Sequence, residues 1–558
     1  MRKLLELIFL TMPFLMGCSK SGGEGTGTPD PQPPSLMLSS VQVNQVMANA
    51  SATNYNIDPA ATIKLKFNNK VSRATVVTAI AIRENGAAAV PANIGYENND
   101  STVTVSGTAA LKYLTKYTLS VSTSLQSIEG KNLVSPSEYR FNTKIDSSRK
   151  FPLISDDALL TKVQQQTFTY FWDFAHPVSG LARERNNSGD VVTTGGSGFG
   201  MMAIPVAINR NFISRAEGLA RMQKIVGFLK NTAVKVKGAF PHWLNGATGA
   251  IVPFSSLDDG ADLVETSFLM MGLLTARQYF DDASSAETTL RNDINTIYQN
   301  VDWDWFRQGG QQVLYWHYSN NNGWGMNLPV KGWNESLVTY ILAASSPTHS
   351  IPASVYQTGW KSGSQYLNGN NYFGYNLPLG PPQGGPLFFS HYSFMGINPT
   401  GLSEAGINYA VQTKNHTLIN YQYCRTNPNH FYGYSDSVWG LTASDIENGY
   451  TASSPTNDVS VIAPTASISS MPYTPNESMA ALKFYYYVLG DKMWNQYGFT
   501  DAFSLQNIWF ANSTLAIDQG PIIVMIENYR SGLLWNLFTS CPEIVSGMQQ
   551  LGFTAPYL

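Results

Sequence analysis

The hydrophobic periodicity of this chain changes once, near residue 150, and that change divides it into two folding units of different class. Ahead of it lie short alternating runs such as Ile63-Lys64-Leu65-Lys66-Phe67, Thr102-Val103-Thr104-Val105-Ser106, Tyr117-Thr118-Leu119-Ser120-Val121 and Tyr139-Arg140-Phe141-Asn142-Thr143. Period-two runs punctuated by Gly, Asn and Pro predict a β-sandwich over 35–147, resembling bacterial Ig-like modules. No cluster of acids and aromatics falls within it, so a spacer role is expected. Beyond 150 the apolar positions recur at helical spacing, over 156–175, 197–209, 214–233, 261–280, 284–301, 333–344, 404–424, 477–488, 521–538 and 542–551. Weaker segments, one near 352–361, bring the number close to twelve. With no alternating runs between them, the helices are expected to pair into an (α/α)6 toroid over 150–558. Its long loops at 303–331 and 368–386, rich in Gly, Asn, Trp and Tyr, would build a pocket at one end.

The first eighteen residues read as an address. Met1-Arg2-Lys3 is a short basic start, 4–16 is mostly apolar and too short to span a bilayer, and the run ends at Leu15-Met16-Gly17-Cys18. A small residue followed by Cys at that place is the cleavage and acylation signal of bacterial lipoproteins. The chain is therefore expected to be exported and anchored to the outer membrane through Cys18, with 19–34, rich in Ser, Gly, Thr and Pro, as a flexible tether. Cys424 and Cys541 remain, enough for one disulfide that the sequence leaves open.

Charged residues make up only 13% of the chain, about half the usual share, while Trp 12, Tyr 29 and Phe 27 make it rich in aromatics. Such surfaces suit neutral, hydroxyl-covered ligands, whose C–H faces stack on aromatic planes. A net charge of −3 with no basic stripe excludes nucleic acid as a partner, and a monomer is expected.

The densest chemistry is Leu257-Asp258-Asp259-Gly260-Ala261-Asp262-Leu263-Val264-Glu265. If a helix starts near Ser256, Asp258, Asp262 and Glu265 share one face, at i, i+4 and i+7. No Lys or Arg occurs between Lys237 and Arg277 to neutralise them. Stacked like charges need a helix N-terminus, a proton, a cation or a polar ligand. A solvated helix start and a calcium site are the alternatives, the second lacking the EF-hand spacing. Glu335, in Gly332-Trp333-Asn334-Glu335, and Asp518, in Ile517-Asp518-Gln519-Gly520-Pro521, open two further apolar helices, each either capping or chemical. Asp445 reads as an N-cap and Glu527 with Arg530 as a structural pair. His242, His317, His391 and His416 are scattered without the spacing of a zinc site, so no metal and no cofactor is expected. The glycine-rich 195–200 lacks the strand and the Lys-Ser/Thr of a phosphate loop.

Taken together, Ser197-Gly198-Phe199-Gly200, Ser255-Ser256-Leu257-Asp258-Asp259, Gly332-Trp333-Asn334-Glu335, His391-Tyr392-Ser393, 439–445, Ala463-Pro464-Thr465-Ala466, Pro472-Tyr473-Thr474-Pro475 and 517–530 resemble the glucoamylase-like domain of glycoside hydrolase family 144. That resemblance runs in order from about 150 to the C-terminus. It implies an (α/α)6 fold and anomer-inverting cleavage of β-1,2-glucan or its oligosaccharides, in endo fashion or by release of sophorose from an end. It further implies a cluster at Asp258, Asp262 and Glu265, an acid at Glu335 and a base at Asp518. His242, Trp243, Trp324, Trp333, His391, Tyr392 and Trp439 are the candidate sugar-binding residues, each with plain packing as its alternative. A non-catalytic glucan-binding lipoprotein, an adhesin, and a glycosidase of another β-glucan linkage are the competing readings.

Overall fold

The computed structural model describes residues 33–558, so Cys18, the leader and most of the tether lie outside the described residues. The chain divides after Ile145 into two compact units. In the first, strands β1 (Leu38–Val43), β2 (Val46–Met47), β4 (Ile63–Phe67), β6 (Ala92–Glu97) and β7 (Thr102–Gly107) form one sheet in the order β2-β1-β4-β7-β6. Strands β3 (Asn54–Ile57), β5 (Ile80–Glu84), β8 (Lys116–Val121) and β9 (Ser137–Thr143) form the other, in the order β3-β9-β8-β5, with a short helix α1 (Arg73–Ala79) leading into β5. Alternation sets the core: Ile63, Leu65, Phe67, Val103 and Val105 on one sheet and Ile82, Leu119, Val121 and Phe141 on the other are buried, while Lys64 and Lys66 point away.

The second unit is helical. Helices α2 (Asp156–Trp172), α3 (Thr194–Asn209), α4 (Arg215–Asn231), α5 (Leu263–Tyr279), α6 (Ser285–Gln299), α7 (Leu337–Ser345), α8 (Tyr409–Thr426), α9 (Pro464–Ile468), α10 (Pro475–Tyr487), α11 (Gly490–Met493), α12 (Ala516–Ser531), α13 (Leu533–Thr539) and α14 (Pro542–Leu551) follow one another. Two patterns separate them. Helices α3, α5, α7, α9 and α12 are buried along nearly their whole length. Others bury one stripe only, as α4 does with Met222, Ile225, Val226 and Leu229. The buried set packs side by side, α3 between α5 and α12, α7 beside α5 and α9 beside α12. The striped helices back it, α2 on α12, α14 on α7 and α10 on α9.

The glycine-rich opening of α3 has a packing cause. A Cβ on Gly198 would stand 2.2 Å from the Phe268 carbonyl oxygen, and one on Gly272 would stand 2.1 Å from the Gly198 carbonyl oxygen, so α3 and α5 cross backbone to backbone. The expected pair of Glu527 and Arg530 does not form. Glu527 takes Arg210 (Nε to Oε2 2.7 Å), and Arg530 takes Asp157 (2.6 Å) because its neighbour on α2, Gln164, accepts its other arm at 2.7 Å. Cys424 and Cys541 are both buried and free. Among the described residues no helix is long and apolar enough to cross a membrane.

The connections between helices are more ordered than their composition suggests. Small antiparallel ladders build them, among them β10 (Val191–Thr193) with β11 (Trp243–Asn245) and β12 (Ile251–Val252), and Ala261–Asp262 with His317–Tyr318. The Gly198→Ala variant should lose about 1–3 kcal/mol of stability through overpacking, read as a lowered midpoint in chemical denaturation; an unchanged midpoint would mean that α3 and α5 are not in backbone contact.

Candidate active site

A cavity of about 680 Å³ opens where the N-terminal ends of α3, α5, α7 and α12 meet. Asp262 is not on the face of a helix begun near Ser256. It is the N-cap of α5, its Oδ1 accepting the backbone N–H groups of Val264 (3.0 Å) and Glu265 (2.9 Å). Asp258 precedes it in a tight turn, hydrogen-bonded through its N–H to Ser255 Oγ at 3.1 Å. The helix starts late because Ala261–Asp262 first pairs as a strand with His317–Tyr318, setting Asp262 opposite His317. The ladder thus delivers the missing countercharge.

His242 Nδ1 stands 3.1 Å from Asp262 Oδ2 and 3.3 Å from Asp258 Oδ2, and His317 Nε2 stands 3.3 and 3.5 Å from the same two atoms. Burial alone would strip both imidazoles of their protons, yet the carboxylates outweigh it and hold both above the usual histidine range. Asp262, despite its burial, is held well below the usual carboxylate range by His317 and His242. The histidines that look scattered in sequence are therefore gathered as a pair. His242, Asp258 and Asp262 are close enough to hold a cation. His317 Nδ1 and both carboxyl oxygens of Asp258 are buried with no hydrogen-bond partner among the described residues. Both rings, held protonated, pair with the Asp262 carboxylate.

Glu265 sits one turn into α5, and its Oε2 accepts the N–H of Gly195 at 2.7 Å, at the N-terminus of α3. A Cβ on Gly195 would lie 2.5 Å from that oxygen, so only glycine allows the contact. Burial, then Asp262 and Asp258, push its carboxyl up to about 7 against the pull of His242. Glu335 faces the same cavity from the turn before α7. Burial, with the charges of Glu265 and Asp262 behind it, pushes Glu335 up to about 7 as well.

On the opposite side Asp518 lies in the first turn of α12, 2% exposed, just behind the lining residues Leu515 and Ile517. Burial and Asp501 raise it well above the carboxylate range. Asp445 does not cap a helix. It lies on the strand Ala443–Ile446, paired with Arg185 NH1 at 3.1 Å, while Arg185 Nε binds Glu184 at 2.8 Å. Tyr392 bridges the two sides: burial raises its hydroxyl, and so do the charges of Asp518, Glu335 and Glu265 around it.

The ring surface of the cavity comes from Trp243, Phe254, Trp316, Phe388 and Tyr450, with His242 stacked on Phe254 at 4.2 Å. Four expected sugar contacts lie elsewhere. Trp333 is in the core against Tyr409 and Phe394, and Trp439 is fully buried with its indole N–H on the Glu477 carbonyl. Trp324 packs on Trp305 and Tyr318. His391 is buried on Ser470, and burial pushes it down to about 3, keeping it neutral. Sequence reasoning missed Trp316, Phe254, Tyr450, Arg185 and Asp501. Trp316 and Phe254 sit beside motif residues in runs too short to show a period, and Asp501 gains its meaning only through its neighbour Asp518.

With this geometry in view, residues 39–143 match the bacterial Ig-like domain family and residues 327–542 match the family described as "putative glucoamylase". The chain is 42% identical over 440 residues to the exo β-1,2-glucooligosaccharide sophorohydrolase (non-reducing end) of Parabacteroides distasonis, covering 74% of this chain and 61% of that relative, so it spans less than two thirds of the relative's length. A "putative glucoamylase" of Bacteroides uniformis superposes with a TM-score of 0.72 at 54% identity, covering 73% of this chain and all of that one. The endo-β-1,2-glucanase of Chitinophaga pinensis, solved with sophorotriose and glucose, superposes with a TM-score of 0.71 at 49% identity and the same coverage. The chain belongs to the glucoamylase-like glycoside hydrolases of family 144 and carries a bacterial Ig-like domain ahead of that domain.

Proposed function

We propose that the helical domain is an (α/α)6 toroid that hydrolyses β-1,2-glucan or its oligosaccharides with inversion, Glu335 serving as general acid and Asp518 as general base. One observation carries the reading: an aromatic-lined cavity holds a carboxyl poised near neutrality, Glu335, and behind its Leu515 and Ile517 wall lies a second, buried carboxyl, Asp518, both close enough to Tyr392 to raise its hydroxyl. Inversion needs an acid at the glycosidic oxygen and a base that activates water on the other face of the ring. Asp262, capping α5 and paired with His242 and His317, is a fixed charge, which suits it to bind hydroxyls and to keep Glu335 protonated. The β-1,2 linkage rests on the activities of the relatives from P. distasonis and C. pinensis. Their exo and endo modes differ, and the ratio of sophorose to longer products separates them here. We also propose export with a lipid anchor on Cys18, on the strength of the leader sequence.

With linear β-1,2-glucan as substrate, Glu335→Gln and Asp518→Asn should each lower kcat by on the order of a hundredfold or more, with the thermal midpoint and glucan binding retained. Full turnover by Glu335→Gln would move the acid into the Asp258 cluster, and a wild-type protein that binds glucan without releasing fragments would make it a binder. Glu335 acts protonated, so its contribution is present at low pH and is lost as pH rises through about 7. The basic limb of kcat/KM should fall there, and an activity rising beyond it would contradict the assignment. Cys18→Ser should keep the enzyme active but release it from the membrane fraction; retention there would require another anchor.

A further inference from the structure

Asp501 plays no part in the reaction outlined above, yet it is buried to 2% exposure beside Asp518. The two carboxyls interact directly, each shifting the proton affinity of the other. One oxygen of each, Oδ1 of Asp501 and Oδ2 of Asp518, has no donor among the described residues. Two facing carboxylates repel each other unless a proton lies between them, and a buried oxygen without a donor is destabilising.

The surroundings offer no other partner for these oxygens. Arg185, the nearest cation, is engaged by Asp445 and Glu184. The second oxygen of Asp501 accepts the Asp445 N–H at 2.7 Å. The loop and the helix are tied together: Asp501 N–H donates to Ser513 O (3.0 Å), Gln519 Nε2 to Phe499 O (2.9 Å) and Thr465 Oγ1 to Asp518 O (2.8 Å). The ionisable groups facing the pair are Asp445 and Arg185, with Glu184 and the hydroxyls of Tyr450 and Tyr392 beyond.

We infer that Asp501 and Asp518 form a carboxyl pair that shares one proton. Asp501 is then a positioning residue. The shared proton leaves the pair a single negative charge, as the like-charge rule for adjacent carboxyls requires, since both cannot ionise together, and when that proton lies on Asp501 the carboxylate is Asp518. When Asp518 takes a proton from the attacking water, Asp501 retains its own, and the proton on Asp518 leaves to solvent after the glycosidic bond has broken. Burial pushes Asp501 up to about 7, in keeping with a proton held under neutral conditions. The catalytic consequence rests on Asp518 being the base; the shared proton does not.

The test compares two variants of the full protein. Asn at position 501 still donates to Asp518, so in Asp501→Asn the acid limb of kcat/KM should stay within about half a unit of wild type. Asp501→Ala removes the donor, and that limb should rise by about one unit or more with KM little changed. A limb that falls in both variants would show that Asp501 is ionised and repels Asp518. Unmoved limbs with only a lower thermal midpoint would show that Asp501 merely packs. Independently of turnover, the infrared difference between wild type and Asp501→Asn at about pH 6 should contain the C=O stretch of a protonated carboxyl. Its absence overturns the shared proton. Its presence together with a fully active Asp518→Asn leaves the pair standing and removes the base assignment instead.

Discussion

Burying several carboxyls in one cavity is the constraint on which the rest of this domain depends. Each buried charge has to be met by a donor, a countercharge or a proton, and the helix arrangement supplies the first of these. The N-terminal ends of α3, α5, α7 and α12 point into the cavity, and their unpaired N–H groups and dipoles favour negative charge there. Asp262 caps α5, Glu265 accepts the Gly195 N–H at the start of α3, and Asp518 lies in the first turn of α12. To bring α3 and α5 close enough for the Glu265 contact, the crossing needs glycine at 195, 198 and 272.

The two sides of the cavity meet the remaining demand differently. Around Asp258 and Asp262 the compensation is ionic, through two imidazolium groups, His317 on the short strand paired with Ala261–Asp262 and His242 just ahead of β11. Around Asp518 the countercharge of Arg185 is spent on Asp445 and Glu184, leaving the inner carboxyls short of donors. One side therefore sets fixed charge behind the proton of Glu335, and the other leaves its inner carboxyls to share a proton. That asymmetry suits a reaction in which a proton is given on one face of a sugar and taken on the other.

Much of this was legible in the sequence, and the failures share a cause. Strand Ile63–Phe67 and helix α14 are visible residue for residue, because alternation and the apolar stripe are local properties. The acid cluster was visible as an excess of uncompensated charge. Its geometry was not, since the two-residue ladder pairing Asp262 with His317 spans more than fifty positions and leaves no periodic trace. Aromatic content misled in the same way: Trp333 and Trp439 sit in motifs rich in functional residues but fill the core, while the cavity is lined by Trp316, from the loop 303–331, and by Phe254, beside the acid cluster. Glu527 and Arg530, three residues apart on α12, find separate partners, Arg210 at the end of α3 and Asp157 on α2.

The central claim, that Glu335 and Asp518 flank a sugar ring and invert its anomeric carbon, is tested most directly by watching the first product. Proton NMR during the opening minutes of linear β-1,2-glucan cleavage, before mutarotation, reads the configuration of the newly formed reducing end. The account predicts the α-anomer, since water activated on the Asp518 side enters opposite the departing β-linked oxygen. A first product in the β configuration would mean a covalent intermediate and a nucleophile in place of the base, and would contradict the assignment.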